Sequence, residues 1–256
     1  MKLDKTVVTT KEMIISGDVN TQLLGLTEQH IVSIPQAVQQ IKASQVGVHK
    51  LMLPAFTALK NKAEKSGIEL TIASGFRSFE RQLSIWNNKF SGKLAIKDIH
   101  GKTIDTSKLT DDEIVNAILL YSALPGASRH HWGCDIDVYA PNLFNADQAL
   151  QLEPWEYKTG GPMKELSCWL NVNANKFGFY FPYNVYRGGV ATEPWHLSFA
   201  PIALQYQHNF KLTALEGILT KTNILGKEVI INNLSKIYTR FINNINPYDF
   251  TRSSNG

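Results

Sequence analysis

The sequence predicts a mixed fold of short strands and helices. Apolar residues recur at every second position over 68–72 and 133–139, the period of a strand. They recur near helical spacing over 46–66 and again beyond 212. At 256 residues and 43% hydrophobic content, the chain can bury one sizeable core.

In chain order, residues 1–45 read as an N-terminal extension wrapped on the core, with a short helix from Ile34-Pro35 to Ile41. A helix over 46–66 places Leu51, Phe56, Leu59 and Ala63 inward, with Pro54 in its first turn and Gly67 closing it. Ile68, Leu70 and Ile72 then form a strand that runs into the turn Ser74-Gly75-Phe76-Arg77-Ser78. A helix from Ser78 to Phe90 follows, with Leu83 and Trp86 inward. After a loop over 91–109, Thr110 and Glu113 make a capping box for a helix through Tyr121, ended by Pro125-Gly126. The strand at 133–139 has Cys134, Ile136 and Val138 on one face and Asp135, Asp137 and Tyr139 on the other. A helix spans 162–177, short strands and turns fill 179–200, and a C-terminal helix carries Ile230, Leu234, Ile237 or Tyr238, Phe241 and Ile245 on one stripe, to pack on the core, with a dimer face as the alternative.

Composition narrows the function. A net charge of +4 suits a small anionic substrate, and no dense basic run or nucleic-acid motif is present. No run approaches the about 18 apolar residues of a membrane span. The start Met1-Lys2-Leu3-Asp4-Lys5 lacks the apolar stretch of a signal peptide. The expected location is cytoplasmic, or periplasmic where a leader has been removed. Cys134 and Cys168 are expected to be free thiols.

The acidic strand face carries chemistry. Buried carboxylates need a cation, a hydrogen-bond network or water. His130 lies seven residues before Asp137 across Gly133, and His196 follows Glu193 by three. Two histidines and one carboxylate leave the fourth position of a tetrahedral zinc open, and Glu193 then has the chemistry of a general base. Each residue also has a plainer reading: a strand-edge histidine, a turn-capping aspartate, a surface glutamate. Arg77, at a strand-to-helix turn, can grip a carboxylate or steady an oxyanion, and Gln82 can share that ligand. His30, His49, His100 and His208 read as structural or exposed, and His131 as pointing away from the site of His130.

Taken together, Ser128, His130, Gly133 and Asp137, then Glu193, Trp195 and His196, and the turn at 74–78 resemble the LAS metallopeptidases. These include the hedgehog signalling domain, and the nearest likeness is to VanY-type D-alanyl-D-alanine carboxypeptidases and related L,D-carboxypeptidases. The likeness covers about 46–200, a zinc carboxypeptidase core, leaving 201–256 as a C-terminal helical extension. The resemblance implies an α+β fold, with a small antiparallel sheet cradling the metal and helices packed on one side. It implies one zinc held by His130, Asp137 and His196, with Glu193 as base. It assigns Arg77 to the substrate carboxylate or the oxyanion, and Gln82 and Ser128 to further substrate contacts. The family's alanine position is Asp135 here, which can orient a ligand histidine.

The implied activity is release of a C-terminal D-alanine from peptidoglycan stem peptides or muropeptide fragments, ending in D-Ala-D-Ala or in a diamino acid followed by D-Ala. The missing leader favours the second. A peptidoglycan endopeptidase and a zinc-stabilised binding module are the alternatives; retention of Glu193 argues against the module.

Overall fold

The computed structural model describes residues 17–35, 45–145 and 147–253. A short helix α1 (Val19–Leu23) precedes a hairpin of β1 (Ile31–Pro35) and β2 (Gln45–His49), paired antiparallel. Ile34 and Pro35 therefore lie in a strand and not in the expected short helix; the rest of that helix falls outside the described residues. The helix expected over 46–66 divides. Its first residues form β2, with Val46 and Val48 buried, and helix α2 spans Leu53–Glu64 with Pro54 in its first turn. Valines two apart satisfy a strand period, and β1 supplies the partner that a local pattern cannot reveal.

The central sheet has four antiparallel strands. In sheet order these are β3 (Thr71–Ser74), β4 (Asp135–Tyr139), β6 (His196–Phe199) and β5 (Phe179–Tyr180). The strand expected at 68–72 is displaced toward its C-terminal end, although Ile68 and Leu70 are buried ahead of it. Every residue of β4 is buried, so its polar face is packed as tightly as its apolar one.

Helix α3 (Phe79–Phe90) starts where expected, because the Ser78 hydroxyl accepts from the Arg81 N–H. The Thr110–Glu113 capping box opens α4 (Asp111–Leu119), which stops short of Tyr121. Helix α5 (Lys164–Asn173) continues as a tighter turn to Phe177, ended by Gly178 at φ 81°.

Beyond β6 come α6 (Ala200–Asn209), α7 (Leu212–Lys221), α8 (Lys227–Asn232) and α9 (Leu234–Ile237), the last running into a wider helical turn at Tyr238–Ile242. The expected single C-terminal helix is thus broken at Asn233, yet Ile230, Leu234, Ile237 and Phe241 are all buried in the core. The Trp86 indole N–H donates to the Leu225 carbonyl, and Asn87 bonds the Asn223 carbonyl and the Leu225 N–H, fastening this segment to α3. Cys134 is buried and Cys168 exposed, both as free thiols. No helix among the described residues is long and apolar enough to cross a membrane.

Candidate active site

Antiparallel register builds the site. Asp137 of β4 lies opposite Ser74 of β3 on one side and His196 of β6 on the other. His130 enters from the turn before β4. That turn closes at Gly133, whose φ of 67° belongs to the left-handed region and whose absent Cβ would meet Ile31 at 2.4 Å. His130, Asp137 and His196 are buried, and one ligand atom from each lies within 4.8 Å of the others.

Hydrogen bonds decide which nitrogen faces inward. His130 Nδ1 is 2.9 Å from the Gly75 carbonyl, which only accepts, so Nδ1 carries the hydrogen and Nε2 presents its lone pair 3.4 Å from Asp137 Oδ2. His196 Nε2 donates to Asp135 Oδ1 at 3.1 Å, leaving Nδ1 inward. His196 Nδ1 and Asp137 Oδ1 are 3.2 Å apart and both buried, yet neither makes a hydrogen bond. Buried polar atoms without partners are costly, and a cation among these three donors would satisfy them. Glu193 Oε2 lies 3.3 Å from the same His196 nitrogen.

The electrostatics separate the two histidines. Burial holds His130 down at about 4, so its ring is neutral at neutral pH. Burial also acts against a charged His196, but the carboxylates of Asp135, Asp137 and Glu193 around it outweigh that and hold the imidazole well above its ordinary value. Burial raises the Glu193 carboxyl, with His196 opposing. For Asp137, burial is outweighed by His130 and His196, which keep its carboxyl below the usual range.

The cluster sits in a cavity of about 390 Å³ whose wall includes Arg77, Ser128, Glu193 and Tyr183. The Tyr183 ring stands against His196 at 5.1 Å. Phe241 and Ile242 complete the wall, so the C-terminal segment helps shape the site. Gln82 is placed differently from the substrate contact expected of it. It is fully buried behind Arg77, accepting from Arg77 Nη1 at 2.7 Å and donating to the Ala123 carbonyl at 2.7 Å. Its amide is spent on holding the guanidinium. His131 bonds backbone through both ring nitrogens, to Gly126 N–H and the Arg77 carbonyl, and so takes no part in the cluster.

Arg129 escaped the sequence reading. Its guanidinium donates to Asp135 Oδ1 at 2.7 Å, Ser198 Oγ at 2.8 Å, Tyr180 at 3.1 Å and Gln207 at 3.2 Å, and lies over the Trp132 ring. The departure at Asp135 was the available signal, since a buried acid demands a buried partner. Tyr183 gave none, being an aromatic in an irregular segment.

A His–Asp–His cluster with a glutamate at its edge, on a small antiparallel sheet, is metallopeptidase equipment. The chain belongs to the VanY D-alanyl-D-alanine carboxypeptidase family, whose model matches residues 45–202. It is 39% identical over 121 residues to an uncharacterized protein of Haemophilus influenzae, covering 46% of this chain and 92% of that one. Over 152 residues it is 28% identical to a D-alanyl-D-alanine carboxypeptidase of Enterococcus faecalis, covering 58% of this chain and 47% of that protein. Among solved structures, VanYB in complex with D-alanine-D-alanine is similar at 22% identity and a TM-score of 0.46, covering 74% of this chain and 94% of that one. The LdcB LD-carboxypeptidase is similar at 23% identity and a TM-score of 0.47, covering 79% and 77%.

Proposed function

We propose that the protein is a zinc carboxypeptidase that removes a C-terminal D-alanine from peptidoglycan peptides. The observation that carries this reading is the convergence of His130 Nε2, Asp137 and His196 Nδ1, two of these groups having buried atoms without hydrogen bonds, with Glu193 beside them. Two imidazole nitrogens and a carboxylate form a donor set that suits zinc with an open position. When bound, zinc polarises the scissile carbonyl and acidifies water.

The chain's own groups do the rest. Glu193, with its pKa raised by burial, accepts a proton from the attacking water and returns it to the departing amine. Arg77, fixed by Gln82 and by Ser74 Oγ at 3.3 Å, presents positive charge to the substrate carboxylate or the developing oxyanion. Ser128, on the cavity wall, is a further substrate contact. Asp135 and Arg129 hold the His196 ring from behind.

The test compares zinc-loaded wild type with Glu193→Ala. Both are incubated with a pentapeptide ending in D-Ala-D-Ala and a tetrapeptide ending in diaminopimelate–D-Ala, and D-alanine is followed by mass spectrometry. Release by wild type alone is expected. Stoichiometric zinc with no release from either peptide would overturn the reading.

A further inference from the structure

Lys89 lies in the last turn of α3 and is half-buried on the wall of the cavity that holds His130, Asp137 and His196. Its ammonium donates to Ser122 Oγ at 2.6 Å, and Ser122 lines the same cavity. Among the described residues, no carboxylate lies within 4.0 Å of Lys89 or of Arg77. The other charges around the cavity are committed. Lys97 is paired with Glu153, Arg129 with Asp135, and Asp137 and Glu193 face the metal position. With a divalent cation in place, those groups balance and two positive charges remain. Partly buried cations without a counter-charge are costly to keep. Burial and the nearby Arg77 guanidinium both push the Lys89 ammonium down, the penalty expected of two cations sharing one cavity.

We propose that Lys89, together with Arg77, holds the free carboxylate of the residue being removed, and so makes the cavity selective for a peptide end over a peptide interior. The inference rests on the carboxypeptidase reading and adds to it a specificity-determining residue. One carboxylate between an ammonium and a guanidinium relieves their mutual repulsion and receives charge-assisted hydrogen bonds from both. Ser122 fixes the lysine head, so little freedom is lost when substrate arrives. An amidated end, or the continuing chain of an internal bond, offers no charge and leaves both cations uncompensated.

The experiment uses N-acetylated stem peptides as free acids and as C-terminal amides, with wild type, Lys89→Met and Lys89→Arg. Methionine keeps the apolar stem and removes the charge; arginine restores charge. Lys89→Met should raise KM for the acid by roughly 10- to 100-fold, the weight of a hydrogen bond to a charged group, with little change in kcat. The amide should lose nothing further, and Lys89→Arg should recover most of the acid preference. Equal losses on acid and amide would overturn the proposal. So would a loss that appears only when diaminopimelate, with its second carboxylate, precedes the D-alanine and vanishes with lysine there. Equilibrium binding of N-acetyl-D-Ala-D-Ala, acid and amide, separates this idea from the hydrolytic one. Absent turnover alongside an acid preference that Lys89→Met abolishes sinks only hydrolysis; binding without any acid preference sinks the role of Lys89.

Discussion

Asp135 Oδ1 accepts a hydrogen bond from His196 Nε2 at 3.1 Å and from Arg129 Nε at 2.7 Å. One carboxylate oxygen thus ties an inward-facing histidine to a buried guanidinium. The second oxygen accepts from Ser198 Oγ at 3.1 Å, so the acid is fully engaged and its charge is matched. A histidine oriented in this way cannot rotate its Nδ1 away from Asp137 without breaking a charge-assisted bond.

Replacing Asp135 should therefore loosen metal before it loosens fold, provided the charge is handled. Asp135→Asn is expected to weaken zinc binding by about 10- to 100-fold in a chelator competition. Asp135→Ala strands Arg129 and should cost about 3–5 kcal/mol in urea unfolding. The double variant Asp135→Ala/Arg129→Met should recover much of that loss. A double variant no more stable than the single one would contradict the pairing.

Zinc loading should expel a proton. In the metal-free protein the His196 value is raised, so its proton contributes stability that is complete below the ordinary imidazole value of about 6.5 and fades as pH climbs through the raised value. Metal needs the same nitrogen bare. Affinity for zinc should then strengthen as pH climbs from about 6.5 toward that raised value. Calorimetry in two buffers of unlike ionisation enthalpy would register the released proton, and a heat independent of buffer would refute it.

Gly75 is held between the Gly47 backbone and the His130 ring. A Cβ there would lie 2.2 Å from the Gly47 carbonyl oxygen, and the Gly75 carbonyl itself accepts from His130. Gly75→Ala should destabilise by about 1–3 kcal/mol, the usual cost of overpacking. It should also weaken zinc binding, because the turn that orients His130 shifts. Thermal unfolding and chelator competition measure the two effects.

Removing the brace behind Arg77 should damage the site without emptying it. Gln82→Leu leaves the Ala123 carbonyl unbonded and is expected to cost about 1–3 kcal/mol of stability. Peptide hydrolysis should fall while zinc stoichiometry stays at one per chain. Metal loss accompanying the drop in rate would point instead to general disruption.

Phe241 tests whether the C-terminal segment belongs to the working unit. It is 6% exposed and lines the cavity. Phe241→Ala should cost about 3–5 kcal/mol, measured by denaturant unfolding, and should raise KM for peptide. Unchanged stability would mean that this segment merely rests on the core.

The sequence by itself determined what short range controls. Ser78 and Thr110 cap their helices because each hydroxyl reaches an N–H three residues on. Asp137 and His196 could be singled out because a buried acid and a histidine near a glutamate have few inexpensive fates. Tertiary structure decided whatever depends on a partner distant in sequence. Residues 46–49 read as helix until β1 offers them a ladder, and Gln82 reads as a substrate contact until Ala123 and Arg77 engage both ends of its amide. Arg129 acquires meaning only where Asp135, Tyr180, Ser198 and Gln207 close around it. Periodicity and caps are local and survive in a linear pattern. Charge pairing and strand pairing are settled by geometry between segments, because the cost of burying a polar group depends on what the fold brings to meet it.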